Sequence, residues 1–309
     1  MRKCIAFCLV LLFASPVLAQ RHSKGLIFDD AEYARVPKKP KKTRSLDPVP
    51  DSASIKMYAP EPRDQGRYGT CVAWAAGYCG RTMVEAIKNG WTNRDSITSM
   101  AYSPAFLFRL LKPKDLVCEE GTNLASAMQV LKQQGNLTFR HVSDLCIPAI
   151  SEEQLKLAKE YKIKDYLKLF DIHAPAIFKI NNVKKSISEK KPVVVGMICP
   201  ASFDRAKELW VPSPAEQPSL AWGGHAMCVV GYDDTKYGGA FEIQNSWGRS
   251  WGNDGYIWVK YDDFAKFTRY AYEFVDPPAV QPQPSDSLQT RITPIQGLIK
   301  KGRPAKNSF

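Results

Sequence analysis

From Pro192 onward the chain changes texture. PVVVGMIC (192–199), HAMCVVGYD (225–233), AFEIQNSWG (240–248) and GYIWVKY (255–261) are β-branched or aromatic runs separated by Gly and Asp turns, the pattern of an antiparallel sheet or barrel. The preceding half reads differently. CVAWAAGYCGRTMVEAIKNG (71–90) keeps apolar residues on one helical face and stops at a glycine, as helices often do. SPAFLFRLL (103–111) places Pro104 for a first turn, and NLASAMQVLKQQG (123–135) again ends on glycine. SEEQLKLAKEY (151–161) opens with the reciprocal cap of a helix start, and NNVKKSISEKK (181–191) predicts a short helix. Helices first and strands later predict an α+β protein of two lobes, and 309 residues with 44% hydrophobic content can bury a sizeable core.

The first twenty residues, MRKCIAFCLVLLFASPVLAQ, carry two basic residues, an apolar stretch from Ile5 to Phe13, and small residues around Ala19. This predicts an export signal over 1–19 cleaved after Ala19; the apolar run falls short of the roughly 20 residues that span a bilayer. No later segment is long and apolar enough to span, so the expected location is secreted or periplasmic. The formal charge of +12 raises the question of nucleic acid. Its distribution answers against it: residues 21–50 and 281–309 carry +4 each, whereas 51–280 carry only +2. The basic character belongs to the tails, with PKKPKKTR (37–44) the densest block, and the body offers no stripe for phosphates.

Residues 20–55 mix Pro, Lys and Ser with one apolar patch, Gly25-Leu26-Ile27-Phe28, too small to fold alone but able to dock. PPAVQPQPSDS begins a solvated tail over 277–309. Six cysteines remain after the signal. If Cys71 is free, the other five (79, 118, 146, 199, 228) leave at least one more free thiol or an intermolecular bond. Cys118 and Cys146 lie in polar, loop-like surroundings and are the expected disulfide; Cys79 and Cys228 sit in apolar runs and read as packed thiols.

Cys71 stands at the seam of RDQGRYGTCVAWAAG, between a Gly-rich turn and a helix. Unpartnered N–H groups of a first helical turn favour a thiolate and can hold an oxyanion. By itself such a cysteine is more often structural. Of four histidines, His22, His141 and His173 lie in polar or N-terminal contexts. His225 opens a strand after Trp222-Gly223-Gly224, where two glycines clear access to the ring, although a hydrogen-bonded core histidine fits the same pattern. In QNSWGRSWGNDGYIWV (244–259), the Asn245 amide oxygen can accept a hydrogen bond from an imidazole N–H while Trp247 and Trp251 exclude water.

Taken in chain order, DQGRYGTCVAW, GGHAMCVVGYD and EIQNSWGRSWGNDGYIWVKY resemble the papain (C1) family of cysteine peptidases, in the manner of its bacterial secreted members, over roughly residues 56–276. The resemblance implies a papain-like two-lobed fold, with a mainly helical lobe at 56–148, an antiparallel barrel-like lobe at 149–276 and an active-site cleft between them. It implies Cys71 as nucleophile, His225 as general base and acid, Asn245 as orienter of the imidazole, and Gln65 as oxyanion donor beside the Cys71 N–H. Trp247 would shield the Asn245 to His225 bond. Gly121 would lie nearest a substrate strand, and Gly196, Gly223 and Ala226, with Gly224, would line a roomy apolar specificity pocket. The implied activity is peptide-bond hydrolysis through an acyl-enzyme, with no metal or organic cofactor, protein or peptide substrates, no nucleic-acid partner and a monomeric state. The alternative is an idle papain-fold protein that binds peptides or a partner without cleaving them.

Four departures qualify the resemblance. Tyr68 replaces the family's first cysteine, so the disulfide beside the active site cannot form and Cys118 needs another partner, here Cys146. His225 and Asn245 lie farther along than the usual 130–150 residues, with insertions expected near 150–180 and 205–222. Cys118-Glu119-Glu120-Gly121 stands where the family has Cys-Asn-Gly-Gly, which predicts an acidic rim at Glu120. The prosegment, 20–55, is too short for the family's helical subdomain; the expectation is a zymogen in which residues 21–50 cover the cleft, with Leu26, Ile27 and Phe28 docking near it.

Overall fold

The computed structural model describes residues 23–40 and 48–276. The expected export signal, residues 41–44 of the basic block and the tail from 277 lie outside the described residues. The first element, α1 (Asp30–Arg35), starts where the Asp29 carboxylate accepts the Glu32 N–H at 2.8 Å, a side-chain cap for an otherwise unpaired donor. Strand β1 (Ser52–Ser54) follows. It falls inside the stretch read as prosegment, yet pairs antiparallel with a central strand of the sheet, so residues 52–54 are part of the folded domain.

The helix expected over 71–90 is present as three joined pieces. Cys71–Ala73 (α2) runs into a π-helical stretch, Trp74–Arg81, and then into α3 (Thr82–Asn89), which ends at Gly90 with φ 65°. Two glycines let this helix press against its neighbours. A Cβ at Gly80 would come within 2.7 Å of the Phe274 ring, and one at Gly77 within 3.0 Å of the Asn136 amide. Next come α4 (Arg94–Ser99), α5 (Pro104–Leu111) and α6 (Leu124–Gln133). Ser103 and Asn123 cap the last two through the N–H groups of Phe106 and Ser126. In α7 (Glu152–Ala158) the reciprocal cap joins Ser151 and Gln154.

Strand β2 (Asp165–Lys168) leads to α8 (Ala176–Ser188), a thirteen-residue helix that begins before the expected 181 and stops before 191. Pro175 precedes it in extended backbone, a conformation proline favours before a helix. The remaining elements are β3 (Val193–Ile198), α9 (Ala201–Asp204), β4 (Leu209–Trp210), β5 (Gly224–Asp233), β6 (Ala240–Gln244), β7 (Tyr256–Lys260), α10 (Tyr261–Phe267) and β8 (Thr268–Val275). The sheet order is β2-β8-β3-β5-β6-β7-β4, with β1 on β5. All pairs are antiparallel except β4 with β7. Four of these strands match the runs seen in the sequence. β8 does not: TRYAYEFV carries the period of a strand, but only the sheet reveals its place between β2 and β3.

One apolar core joins the helices to the sheet, with Ala73, Ala76 and Met83 in the same cluster as Val194, Val195 and Cys228. Cys118 and Cys146 form the expected disulfide. Cys71, Cys79, Cys199 and Cys228 are free and buried.

Candidate active site

Cys71 is the first residue of α2, so its sulfur sits where the helix presents unpartnered N–H groups. It is fully buried. Burial drives its pKa up to about 11, opposed by hydrogen bonds from the backbone N–H groups of Ala226, Gly25 and Val72. The Ala226 bond places the sulfur beside the residue that follows His225. Desolvation of the charged form thus works against a thiolate here and is only partly offset by the helix-terminus donors.

His225 lies near the start of β5 and is fully buried. Its Nε2 is 2.6 Å from Asn245 Oδ1, and its ring stacks on Trp247 with centroids 4.4 Å apart. Asn245 follows β6 and is fixed by its own N–H on Gly255 O at 3.0 Å. Its Oδ1 also accepts the Ser246 N–H at 2.7 Å, and the Ser246 hydroxyl donates to Gln65 Oε1 at 2.7 Å. With the Gln65 N–H on Ser246 O at 2.8 Å, one hydrogen-bonded chain runs from Gln65 through Ser246 and Asn245 to His225. Ser246 was not singled out in the sequence. Its signal was there, as a hydroxyl between Asn245 and Trp247, but its partner lies 181 positions upstream.

Residues 23–28 thread this site. The Gly25 N–H donates to Cys71 Sγ at 3.3 Å, and Ser23 O accepts from Gln65 Nε2 at 3.2 Å and from Trp247 Nε1 at 3.3 Å. Leu26 N–H donates to Gly224 O (3.1 Å), Ile27 N–H to Thr122 O (2.9 Å) and Thr122 N–H to Gly25 O (2.8 Å). The segment thus joins two backbone edges as an inserted strand. The strand lies close at several glycines: a Cβ at Gly121 would meet Gly25 O at 2.7 Å, one at Gly224 would meet Leu26 O at 2.5 Å, and one at Gly25 would meet Gly69 O at 1.9 Å.

Leu26 fills the pocket expected at Gly196. A Cβ at Gly196 would meet Leu26 at 2.8 Å, Leu124 at 3.3 Å and Tyr270 at 3.5 Å. In the sheet Gly196 lies between Ala226 and Tyr270. Gly224 also belongs to this wall, whereas Gly223 does not: its missing Cβ faces the Lys24 side chain at 3.7 Å. The reason is backbone direction, since Gly223 has φ +86° and lies just before β5 begins. Leu124 and Tyr270 were missed because one comes from α6 and the other from the unexpected β8. Of the other docking residues, Phe28 meets Tyr270 edge-on at 5.2 Å and Ile27 is half exposed. The expected acidic rim is softened, because Glu120 is exposed and paired with Lys112 at 3.0 Å.

A model of the papain family of cysteine proteases matches residues 50–271. The chain belongs to the papain family of cysteine proteases. Among curated members, mouse cathepsin K is 26% identical over 220 residues, covering 67% of this chain and 59% of that protein. An uncharacterized peptidase C1-like protein of Acanthamoeba polyphaga mimivirus is 26% identical over 209 residues, covering 64% of this chain and 63% of the relative. The chain therefore spans about six-tenths of the length of these relatives. Among solved structures, xylellain, a cysteine protease from Xylella fastidiosa, superposes with a TM-score of 0.65 at 22% identity, covering 84% of this chain and 98% of that one. A digestive procathepsin L2 proteinase from Tenebrio molitor larval midgut gives 0.66 at 16% identity, covering 82% and 78%. These likenesses show the papain-like two-lobed α+β fold.

Among the described residues, no group of three or more His, Cys, Asp or Glu is placed to hold a metal ion, and no helix is long and apolar enough to cross a membrane.

Proposed function

We propose that this papain-family protein is an exported cysteine endopeptidase made as a zymogen, with residues 23–28 as the plug of its own cleft. The observation that carries the reading is the hydrogen-bonded chain Gln65–Ser246–Asn245–His225, which ends at the residue preceding Ala226, whose backbone N–H faces the Cys71 sulfur. Asn245 holds Nε2, so Nδ1 is the nitrogen that exchanges a proton with the thiol. In the open cleft Cys71 transfers its proton to His225 and its sulfur attacks a peptide carbonyl. The oxyanion rests on the Cys71 N–H and the Gln65 side-chain amide. The imidazolium returns the proton to the leaving amine, and water activated by the same ring releases the acyl group as a carboxylic acid.

The plug resists this chemistry for a stated reason. What faces the sulfur at 3.3 Å is the Gly25 N–H, a donor, and the Gln65 amide already holds Ser23 O. A chain that passes through the cleft from the Trp247 side to the Thr122 edge supports internal cleavage of polypeptides over trimming at ends.

The test uses the full chain carrying Leu26→Asp, which removes the plug's apolar anchor, beside the same chain with Cys71→Ala. The open chain is expected to cut a denatured protein at internal bonds and to be blocked by a peptidyl epoxide that modifies Cys71. Ready alkylation of Cys71 with no thiol-dependent cleavage would leave the idle peptide-binding alternative in its place.

A further inference from the structure

The side chain of Lys24 occupies a site of its own, leaving the segment between Ser23, which meets Gln65 and Trp247, and Gly25, which meets Cys71, whereas Leu26 lies beyond Gly25. Its Nζ lies 2.9 Å from Asp204 Oδ1 and donates to Cys199 O at 2.9 Å, and both charged side chains are mostly buried, with relative exposures of 15% and 16%. The stem of Lys24 passes over Gly223, where a Cβ would come within 3.7 Å of it. The surround is rigid. Cys199 N–H is held by Gly223 O at 3.2 Å, which aims its carbonyl, and Trp251 Nε1 donates to Asp204 O at 3.1 Å. Phe203, on the same short helix α9, packs against Trp210, Trp247 and Trp251.

Position gives this site its meaning. On the peptidase reading, the acyl half of a bound polypeptide would take the edges at Thr122 and Gly224, where Leu26 and Ile27 now lie. The leaving amine must be on the side of the ring that protonates it, and His225 stacks on Trp247, which in turn packs edge-on against Phe203 of α9 at 5.7 Å. Asp204 therefore stands on the leaving-group side. A carboxylate that has lost most of its water is costly without a counter-ion, so when Lys24 departs the site favours another cation. Arg205, its neighbour in the chain, acts instead on Glu216.

Resting on the peptidase reading above, we infer that Asp204, with the Cys199 carbonyl and the bare Gly223 backbone, is a specificity site for a lysine or arginine side chain immediately after the scissile bond. Lys24 is its resident occupant while the cleft is covered.

The experiment compares peptides of one sequence that differ only in the residue after the scissile bond, cleaved by the full chain carrying Leu26→Asp. The lysine and arginine peptides are expected to exceed the alanine peptide by about tenfold in kcat/KM, with the glutamate peptide below it, as a site built for one polar group rejects its opposite. Asp204→Asn should bring the lysine-to-alanine ratio to within about threefold, and Asp204→Lys should reverse the lysine-to-glutamate order. Equal rates across the series, or a preference that survives Asp204→Asn, would overturn the site and leave the peptidase reading intact.

A second readout needs no cleavage. In the full chain with Leu26 retained, Lys24→Glu and Asp204→Lys should each speed alkylation of Cys71 by iodoacetamide about tenfold, and the two together should restore slow alkylation. Rates unchanged by either substitution would overturn the site even where no peptide is cut.

Discussion

The N-terminal segment is bound to the rest of the molecule in two unlike ways. Residues 23–28 are held in the cleft largely through their backbone, by the bonds of Gly25, Leu26 and Ile27, with one side chain in an apolar pocket and one in an ion pair. Residues 29–39 are held mainly by side chains, with backbone bonds joining Pro37 and Lys39 to Lys168. Tyr33 is buried, stacks on Tyr270 at 4.3 Å and donates to Phe170 O at 2.7 Å. Lys39 reaches the buried Glu273 at 2.8 Å, and Asp30 pairs with Arg269. A parallel bridge between Lys38 and Lys168 adds this stretch to the sheet beside β2. Backbone bonds to a strand edge suit any polypeptide, so on the proposed function the first stretch is the one a substrate would replace. Buried, sequence-specific contacts do not exchange, and the second stretch behaves as part of the domain although it too was expected to belong to a prosegment.

The sharpest break in this comparison comes from Tyr33→Ala. Loss of a buried aromatic from the second stretch should cost about 3–5 kcal/mol of stability, read as a lower urea midpoint with unchanged slope. A destabilisation under about 1 kcal/mol would mean that residues 29–39 are no more integral than residues 23–28.

Leu26→Asp should do the reverse. A carboxylate in the apolar pocket is expected to open the cleft and speed iodoacetamide alkylation of Cys71 at neutral pH about a hundredfold, equivalent to roughly 3 kcal/mol. Its urea midpoint should stay close to that of the native chain. A matched fall in stability would erase the distinction between the two stretches.

The pH dependence sharpens the same point. The covered thiol, raised to about 11 by burial, holds its proton more tightly than an uncovered thiol at ~8.5 or below. Covering is thus fully favoured at pH values below the uncovered pKa and loses that advantage as pH rises through 11. Alkylation of the native chain should climb by up to about tenfold per pH unit over this range, whereas the Leu26→Asp chain should show a shallower profile. Parallel profiles would show that the plug does not set the protonation state of Cys71. The smallest effect is expected at Ile27, half exposed beside the buried Leu26: Ile27→Ala should change the alkylation rate by less than about threefold, or roughly 0.5 kcal/mol.

Much of the fold was legible locally. Ser103-Pro104, Asn123 and Ser151 announce their helices because a cap needs only residues within one turn. The Cys71, His225, Asn245 and Gln65 set was proposed from the sequence because three short strings in chain order together resemble a family pattern, although Cys71 or His225 alone fitted a structural role as well. What escaped was assembled from distance. β1 is three small residues with no apolar period, and it exists only because β5 offers an edge. Ser246 gains its meaning from Gln65, and Tyr270 becomes a pocket wall because β8 runs beside β3. Asp204 carried no signal of its own in the chain.

The sequence by itself determined the chemical inventory: which groups can donate, accept or attack, and which local turns and caps place them at element ends. Covalent spacing and backbone preference act over a few residues, so these features need no fold to be read. Only the tertiary structure decided that Gly224 and not Gly223 walls the Leu26 pocket, that Lys24 meets Asp204, and that Cys71 is buried against the Gly25 N–H, a burial that pushes its pKa up. Burial and electrostatic environment depend on every chain segment that reaches a point in space, and the segments meeting here are far apart in sequence.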